Sequence, residues 1–118
     1  MADQTITVQT CTLNGQKEVA AANYEDLTAA NDGICVIPRD GKYLFHIIDA
    51  AGGAVVTFTH GDGFLSGQGD IDTAALTINL NNFVVVESAR CKWLSGDDKG
   101  MIRITTTAAV KIACIALP

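Results

Sequence analysis

The sequence has no long apolar segment and no recognisable secretory leader. None of its uninterrupted apolar runs approaches the roughly 20 residues that a helix needs to span a bilayer. The first residues, Met-Ala-Asp-Gln-Thr-Ile, lack the basic start and apolar stretch of a signal peptide. We therefore expect a soluble protein that is made in the cytoplasm and has no membrane partner.

Charged residues are also scarce, and their balance does not favour a nucleic-acid partner. They form 18% of the chain, and 8 Lys and Arg against 13 Asp and Glu give a net charge of -5. Binding to nucleic acid depends on neutralising phosphates, so we expect no nucleic acid to bind. The basic residues gathered late in the chain are Arg90, Lys92, Lys99 and Arg103. Because Asp97 and Asp98 lie among them, we expect a solvated surface of mixed charge.

The four cysteines are too far apart to form a Cys-x-x-Cys motif, so no zinc knuckle or redox dithiol is indicated. Cys35 and Cys114 lie in apolar runs, where a thiol acts as a small hydrophobic side chain of the core. With the missing signal peptide, this predicts that no disulfide forms. Arg90 and Lys92 flank Cys91 and would lower the pKa of its thiol if it were exposed. A nucleophilic Cys91 would still need a base, and no histidine lies near it in sequence.

Residue types that build catalytic sites are few and scattered. There is no Gly-x-Ser-x-Gly motif and no pair of carboxylates spaced for acid-base chemistry. Of the two histidines, His46 shares a strand face with Leu44 and Ile48, which predicts a core or rim histidine hydrogen-bonded to a neighbour. We therefore expect no enzyme, no catalytic residue, no bound metal and no cofactor.

One glycine-rich stretch, residues 60–72, has the oxygen ligands that calcium prefers. However, Asp62, Asp70 and Asp72 are not spaced as in an EF-hand, and the closing glutamate is missing. A connection between strands is the favoured interpretation. A calcium- or carbohydrate-binding loop is the alternative.

Short β-branched and aromatic runs separated by turn residues dominate the chain. Hydrophobic residues make up 48% of the 118 residues, which suits one domain, residues 1–118, with a core of its own. The predicted strands cover residues 5–8, 34–38, 42–48, 54–59, 76–81, 83–93, 101–105 and 110–118. Asp40-Gly41 predicts a tight hairpin, and Asn81-Asn82 a second turn. We predict an all-β fold, an antiparallel β-sandwich of jelly-roll or immunoglobulin-like type with about eight short strands.

Two segments fit this pattern poorly. Residues 17–30 are rich in Ala and Glu, so one short helix is possible there. Residues 1–12 open with polar side chains, and their alternation slips between Val8 and Cys11. We expect this segment to be less committed to the core than residues 76–86 and to act as an N-terminal strand that orders against a partner.

The last third of the chain carries a family resemblance. Glu87-Ser88 is followed by basic residues and then by the aromatic Trp93. Lys99-Gly100 comes next in a polar turn, and the last strand ends in Ala-Leu-Pro. This order of strands and turns resembles the head decoration, or capsid cement, proteins of tailed bacteriophages, which are small β-sandwiches. The resemblance covers roughly residues 32–118 and includes no catalytic motif.

The resemblance implies a structural virion protein that lies on the capsid surface and is made in the host cytoplasm. Its implied partners are the major capsid protein and copies of itself, as a homo-oligomer such as a trimer. It also implies an extended or irregular chain over residues 17–30. A phage tail structural component and a calcium- or carbohydrate-binding β-sandwich module are the alternatives. A cupin-like enzyme would need a cluster of metal ligands that two histidines barely permit.

The residues predicted to contact a protein partner are Asp3, Gln4, Thr5, Arg90, Lys92 and Trp93. The first three belong to the polar N-terminal segment. Trp93 is the only tryptophan, and amphipathic aromatic side chains are favoured at the centres of interfaces. A tryptophan buried in the core is the alternative interpretation.

Overall fold

A computed structural model describes residues 3–63 and 67–118 of the chain. Ten strands in these residues form two facing sheets, which confirms the predicted all-β sandwich. In chain order the strands are β1 (Gln4–Ile6), β2 (Val8–Thr10), β3 (Glu25–Leu27), β4 (Gly33–Val36), β5 (Lys42–Ile48), β6 (Val56–Phe58), β7 (Ile71–Asp72), β8 (Asn81–Glu87), β9 (Met101–Thr106) and β10 (Val110–Ala116). A short helix, α1 (Ser88–Cys91), follows β8, and a 3-10 turn covers Ala21–Asn23.

The two sheets are mixed rather than purely antiparallel. The first has the spatial order β1-β4-β9-β6-β7, and the second has β2-β10-β5-β8, with β3 also paired to β10. Most neighbouring strands are antiparallel, but β1 runs parallel to β4 and β2 runs parallel to β10. Parallel neighbours cannot be joined by a hairpin. In both of these pairs, the chain between the two strands passes through the other sheet.

The core lies between the sheets and is built from alternate residues of the strands. In β5, Tyr43, Phe45 and Ile47 point inward and are fully buried. The Phe45 ring packs against Phe58 of the opposite sheet, with ring centroids 4.9 Å apart. Burial of each such side chain stabilises the fold by about 1.5–3 kcal/mol.

The N-terminal segment is part of both sheets. β1 pairs with β4 of the first sheet, and after Thr7 the chain enters β2, which pairs with β10 of the second. Ile6 is 1% exposed and Gln9 is 8% exposed, so the described part of this segment has buried side chains, as residues 76–86 do at Leu76 and Val86. Its ordering against a partner stays a prediction. The alternation of the sequence slips near Val8 because the chain changes sheets there.

The Asp40-Gly41 pair does not form the predicted hairpin. β4 belongs to the first sheet and β5 to the second, so residues 37–41 cross from one sheet to the other. A type I′ turn needs positive φ at both central residues, but Asn14 and Asn79 are the only described non-glycine residues with positive φ. The crossing is fixed instead by Gly41 N, which donates to Ser88 Oγ at 3.0 Å.

Residues 77–80 form a turn where the alternating pattern predicted a strand. Asn79 has φ 58°, and Leu80 N donates to the carbonyl of Thr77 at 3.4 Å. Asparagine tolerates this left-handed conformation better than most residues, so the chain reverses here. Ile78 and Leu80 are therefore exposed, and the Asn81-Asn82 pair opens β8 rather than a turn.

Residues 17–30 are extended or irregular apart from the 3-10 turn, as the resemblance implied. The run over residues 83–93, by contrast, is not one strand. The strand β8 ends at Glu87. The helix α1 follows, with a hydrogen bond of 2.8 Å from Lys92 N to the Ser88 carbonyl.

Asp49 anchors the turn that follows β5. Its side chain is fully buried, and its two oxygens accept hydrogen bonds from the backbone N–H groups of Ala51, Gly52 and Ala54 at 3.1, 2.9 and 2.8 Å. Burial disfavours the charged carboxylate, but these three donors outweigh it and lower the pKa of Asp49 below its usual value. The turn between the sheets therefore depends on one ionised side chain.

We predict that Ile6→Ala destabilises the protein by about 2–5 kcal/mol, because Ile6 is buried between the sheets. Thr5→Ala changes an exposed residue of the same strand and should stay within about 0.5 kcal/mol of the parent. Denaturant unfolding of both variants measures the difference. Similar stabilities would show that β1 is not part of the folded core.

We predict that Asp49→Ala destabilises the protein by about 3 kcal/mol, since three backbone donors lose their acceptor. Asp49→Asn keeps one carbonyl oxygen and should cost less. Because the folded-state pKa of Asp49 is lowered, its contribution is fully present above its unfolded pKa of about 3.9 and is lost as pH falls through the folded value. Unfolding measured from neutral to acidic pH should show this acid loss in the parent and a smaller one in Asp49→Asn; equal losses would contradict the role of Asp49.

Candidate protein-interaction surface

The outer face of the second sheet is formed by the residues that alternate with the core positions of β8, β5 and β10. One row across it is Val85, Leu44 and Ile115, and the next is Phe83, His46 and Ala113. Leu44 and Ile115 are half-buried. Val85 ends the first row and Phe83 ends the second, because both residues lie on the edge strand β8. We call Phe83, Val85 and Leu44 together the β8 face.

The β8 face exposes two large apolar side chains. Phe83 is 61% exposed and Val85 is 53% exposed. Ile78 and Leu80, in the turn just before β8, are also more than half exposed. Single exposed apolar residues are common on proteins, but a concentration of large ones is typical of an interaction surface.

His46 holds the aromatic residue of this face in place. Its ring stacks on Phe83 with centroids 4.9 Å apart and an interplanar angle of 14°. Its Nε2 lies 2.9 Å from Asn81 Oδ1, and its Nδ1 lies 2.5 Å from the Tyr24 hydroxyl oxygen. The neutral tautomer with a proton on Nε2 satisfies both contacts, since it donates to Asn81 and accepts from Tyr24. The prediction of a hydrogen-bonded histidine is confirmed, and its ring orders the ring of Phe83.

The backbone of β8 has one free edge. Ser88 N donates to the Gly41 carbonyl, so in the β5–β8 register the backbone groups of Ser88, Val86, Val84 and Asn82 point toward β5. The backbone N–H and C=O groups of Asn81, Phe83, Val85 and Glu87 then point away from the sheet. A second hydrogen bond, from Leu117 N to the Lys42 carbonyl, is consistent with this register. It shows that the backbone groups of the even-numbered residues of β5 point toward β10, so those of the odd-numbered residues point toward β8. Within the described chain, β8 pairs only with β5.

The predicted N-terminal contact residues lie on the first sheet, away from the sheet that carries the β8 face. Gln4 and Thr5 are in β1, and Asp3 precedes them. The Asp3 carboxylate accepts two hydrogen bonds from the Arg103 guanidinium at 3.1 and 3.2 Å. Arg103 also donates to Asp98 and Asp32, and its bonds to Asp98 and Asp3 raise its pKa further above the ordinary value. This network ties Asp3 to the first sheet.

The other predicted contact residues make internal contacts. Arg90 donates to the backbone carbonyls of residues 68–70 at 3.0 to 3.2 Å. Lys92 pairs with Asp40, and its side chain is mostly buried. Trp93 is half-buried, and its Nε1 has no hydrogen-bond partner among the residues that the structure describes. Contact of these three residues with a partner stays a prediction.

The carboxylates of residues 60–72 are bonded to protein donors. Asp62 accepts from Leu94 N at 2.6 Å and from the Ser95 hydroxyl, Asp70 from His60 N and Nδ1 at 2.8 and 2.6 Å, and Asp72 from Thr57 Oγ1 at 2.7 Å. The bond from Leu94 N lowers the pKa of Asp62, and that from His60 N lowers the pKa of Asp70. Phe64, Leu65 and Ser66 lie outside the described residues. No group of three or more metal-ligating side chains is found in the described parts of the chain.

The cysteines of the core are where the sequence predicts them. Cys35 and Cys114 are fully buried, and the contact with the Cys35 thiol and burial both raise the pKa of Cys114. Cys91 is also fully buried, and burial raises its pKa to about 11, which outweighs the opposite effect of Arg90. The alternative of a reactive Cys91 thiolate is therefore wrong, because α1 turns this side chain into the core. All four cysteines are free thiols.

Sequence reasoning missed the β8 face because a run of Val and Phe is usually core. The signal available was the location of the run, residues 83–86, between two asparagines and Glu87, with no charged residue inside it. That pattern does not reveal which strand ends the sheet.

Comparison with known proteins finds no matching family model, no matching curated protein and no matching solved structure. In residues 3–63 and 67–118, no helix has the length and apolar character needed to cross a membrane.

We predict that alkylation of the native protein at about pH 8 labels Cys11 alone, since Cys11 is partly exposed and the other three thiols are buried. After unfolding without reductant, all four thiols should react. Mass spectrometry of labelled peptides distinguishes the positions. Rapid native labelling of Cys91 would contradict its burial, and recovery of only two thiols would show a disulfide.

Proposed function

We propose that this chain is a structural virion protein that binds and stabilises an assembled phage capsid, as a decoration or cement protein. Two features support the proposal. The first is the resemblance of residues 32–118 to that family, and the second is the β8 face. The observation that carries the protein-binding part is the pair of exposed apolar side chains, Phe83 and Val85, on an edge strand.

The chemistry of the β8 face fits contact with another protein. Residues 81–86 carry no charge, although the whole chain has a net charge of -5. Depletion of charge and enrichment in aromatic residues are typical of the centres of protein interfaces. Because His46 already stacks on Phe83, little side-chain freedom is lost when a partner covers the ring.

The mechanism of stabilisation is thermodynamic and needs no chemical step. A protein that binds the assembled lattice but not the separate subunits shifts the equilibrium toward the lattice. At a free concentration of 100 times Kd, each occupied site contributes about 2.7 kcal/mol. Repetition over the sites of a shell would resist disassembly and the internal pressure of packaged DNA.

A tail structural component would use the same kind of surface, so the partner must be tested directly. A calcium- or carbohydrate-binding module would instead use residues 60–72. In that stretch the carboxylates of Asp62, Asp70 and Asp72 are engaged by protein donors, which favours a structural connection.

We predict that Phe83→Thr weakens binding to heads of the same phage that lack this protein by roughly tenfold to a hundredfold. Covering a phenyl ring is worth about 1.5–3 kcal/mol, and each 1.4 kcal/mol is tenfold in affinity. Threonine keeps the β-propensity of the position. Val36→Thr is the matched control, because Val36 is an exposed apolar strand residue of the first sheet and should leave binding unchanged. Co-sedimentation with purified heads measures both.

The outcomes separate the parts of the proposal. If the parent binds purified tails and not heads, the tail alternative replaces the capsid role. If the parent binds neither, the virion-binding function is rejected. If Phe83→Thr binds heads as well as the parent does, the capsid role stands and its assignment to the β8 face is wrong.

A further inference from the structure

The free edge of β8 and the β8 face are different surfaces. Side chains stand roughly perpendicular to a sheet, whereas the unpaired backbone groups of Asn81, Phe83, Val85 and Glu87 lie in its plane. A partner on the face therefore does not fill the edge. Such an edge pairs readily with another strand unless charge, proline or a covering segment prevents it.

None of these protections blocks the edge of β8. The strand has no proline, and Glu87 is its only charged residue. Residues 73–77 and residues 82–84 line a groove of about 280 Å³, and no described strand pairs with β8 on that edge. Two other edge strands do carry charge, since β7 contains Asp72 and β3 contains Glu25 and Asp26, whereas the short edge strands β1 and β2 contain none.

The strand is complementary to itself. In an antiparallel pair, residues with outward backbone groups must lie opposite each other. The arrangement with the longest overlap is centred on Val84. It places Phe83 opposite Val85 of the second copy, and Asn81 opposite Glu87 of the second copy. Each of the four residues whose backbone groups point away from β5 then forms two hydrogen bonds with the residue opposite it in the second copy. The pair has about eight backbone hydrogen bonds in all.

The side chains in this register also match. Phe83 and Val85 form an aromatic to β-branched cross-strand pair twice, and such pairs contribute roughly 0.2–1 kcal/mol each. Glu87 would lie between Lys42, its neighbour on β5, and the Asn81 amide of the second copy. The one charge of the strand thus has a cation on one side and a hydrogen-bond donor on the other. Although each chain carries a net charge of -5, no carboxylate is brought opposite a carboxylate.

We propose that β8 pairs with β8 of a second copy of this chain, so that two second sheets join into one continuous sheet across a two-fold axis. The pairing is isologous and closes at two copies, because each chain uses its only β8 edge. The two β8 faces then lie side by side on the same side of the joined sheet. This dimer is independent of the capsid role, and it would double the apolar surface available for that role.

The test is the mass of the free protein in solution without heads. In sedimentation equilibrium, the parent should rise from 12.4 kDa toward twice that mass as concentration increases. Val85→Pro should stay monomeric at concentrations where the parent is dimeric. The N–H of Val85 points away from β5, so proline there removes no bond within the monomer, but it removes bonds of the dimer.

A second variant covers the case in which Val85→Pro folds poorly in circular dichroism. Val85→Lys places two ammonium groups at diagonal positions of the proposed pair, about 7–8 Å between the backbone positions, and should weaken dimerisation at least tenfold. Val36→Lys adds the same charge to the first sheet and should dimerise like the parent.

Three results would overturn the proposal. They are a parent that stays monomeric up to about 1 mM, a parent that forms trimers, and a folded Val85→Pro or Val85→Lys variant that dimerises as well as the parent. Because heads are absent from this assay, its failure leaves the capsid proposal untouched, and failure of head binding leaves the dimer untouched.

Discussion

The rest of this structure depends on the pairing of β10 with other strands along both of its edges. One edge of β10 is covered by β5, and the other is covered by β2 and β3 in succession. The strand also buries Ile112 and Cys114 in the core. On the other side of β5 the described part of the second sheet ends at β8, so the backbone of β8 has one free edge. The exposure of Phe83 and Val85 has a separate cause, because these two residues alternate with the core positions of β8 and lie on its outer face.

The sequence was sufficient for the elements whose signals are local. β5, β9 and β10 occur close to their predicted positions, and the buried thiols of Cys35 and Cys114 follow from the apolar runs around them. These signals are local because a strand that faces the core on one side must alternate. His46 was recognised in the same way, from the face that it shares with its neighbours along the strand.

The pairing of strands and the candidate site could not be derived in this way. Asp40-Gly41 is a common hairpin sequence, yet here it joins strands of different sheets, because β4 finds its partners β1 and β9 far away in the chain. The turn at residues 77–80 was hidden by alternating apolar residues, and a single left-handed Asn79 decides it. Which strand becomes the edge depends on long-range pairing that no local pattern encodes, so the sequence favours the N-terminal segment and residues 90–93 as contact residues instead.

The separation of edge and face on β8 allows one strand to serve two partners. Backbone groups are unspecific and favour any strand with a compatible register, whereas Phe83 and Val85 select for an apolar surface of suitable shape. A monomer would present one small apolar face, and weak contacts of that size hold a lattice poorly. Two copies joined through the edge would present two faces in fixed geometry, and simultaneous contact of both raises the apparent affinity without any new type of contact. A capsid surface with local two-fold relations between its subunits would match that arrangement, so the proposed dimer would bind a shell at such two-fold positions.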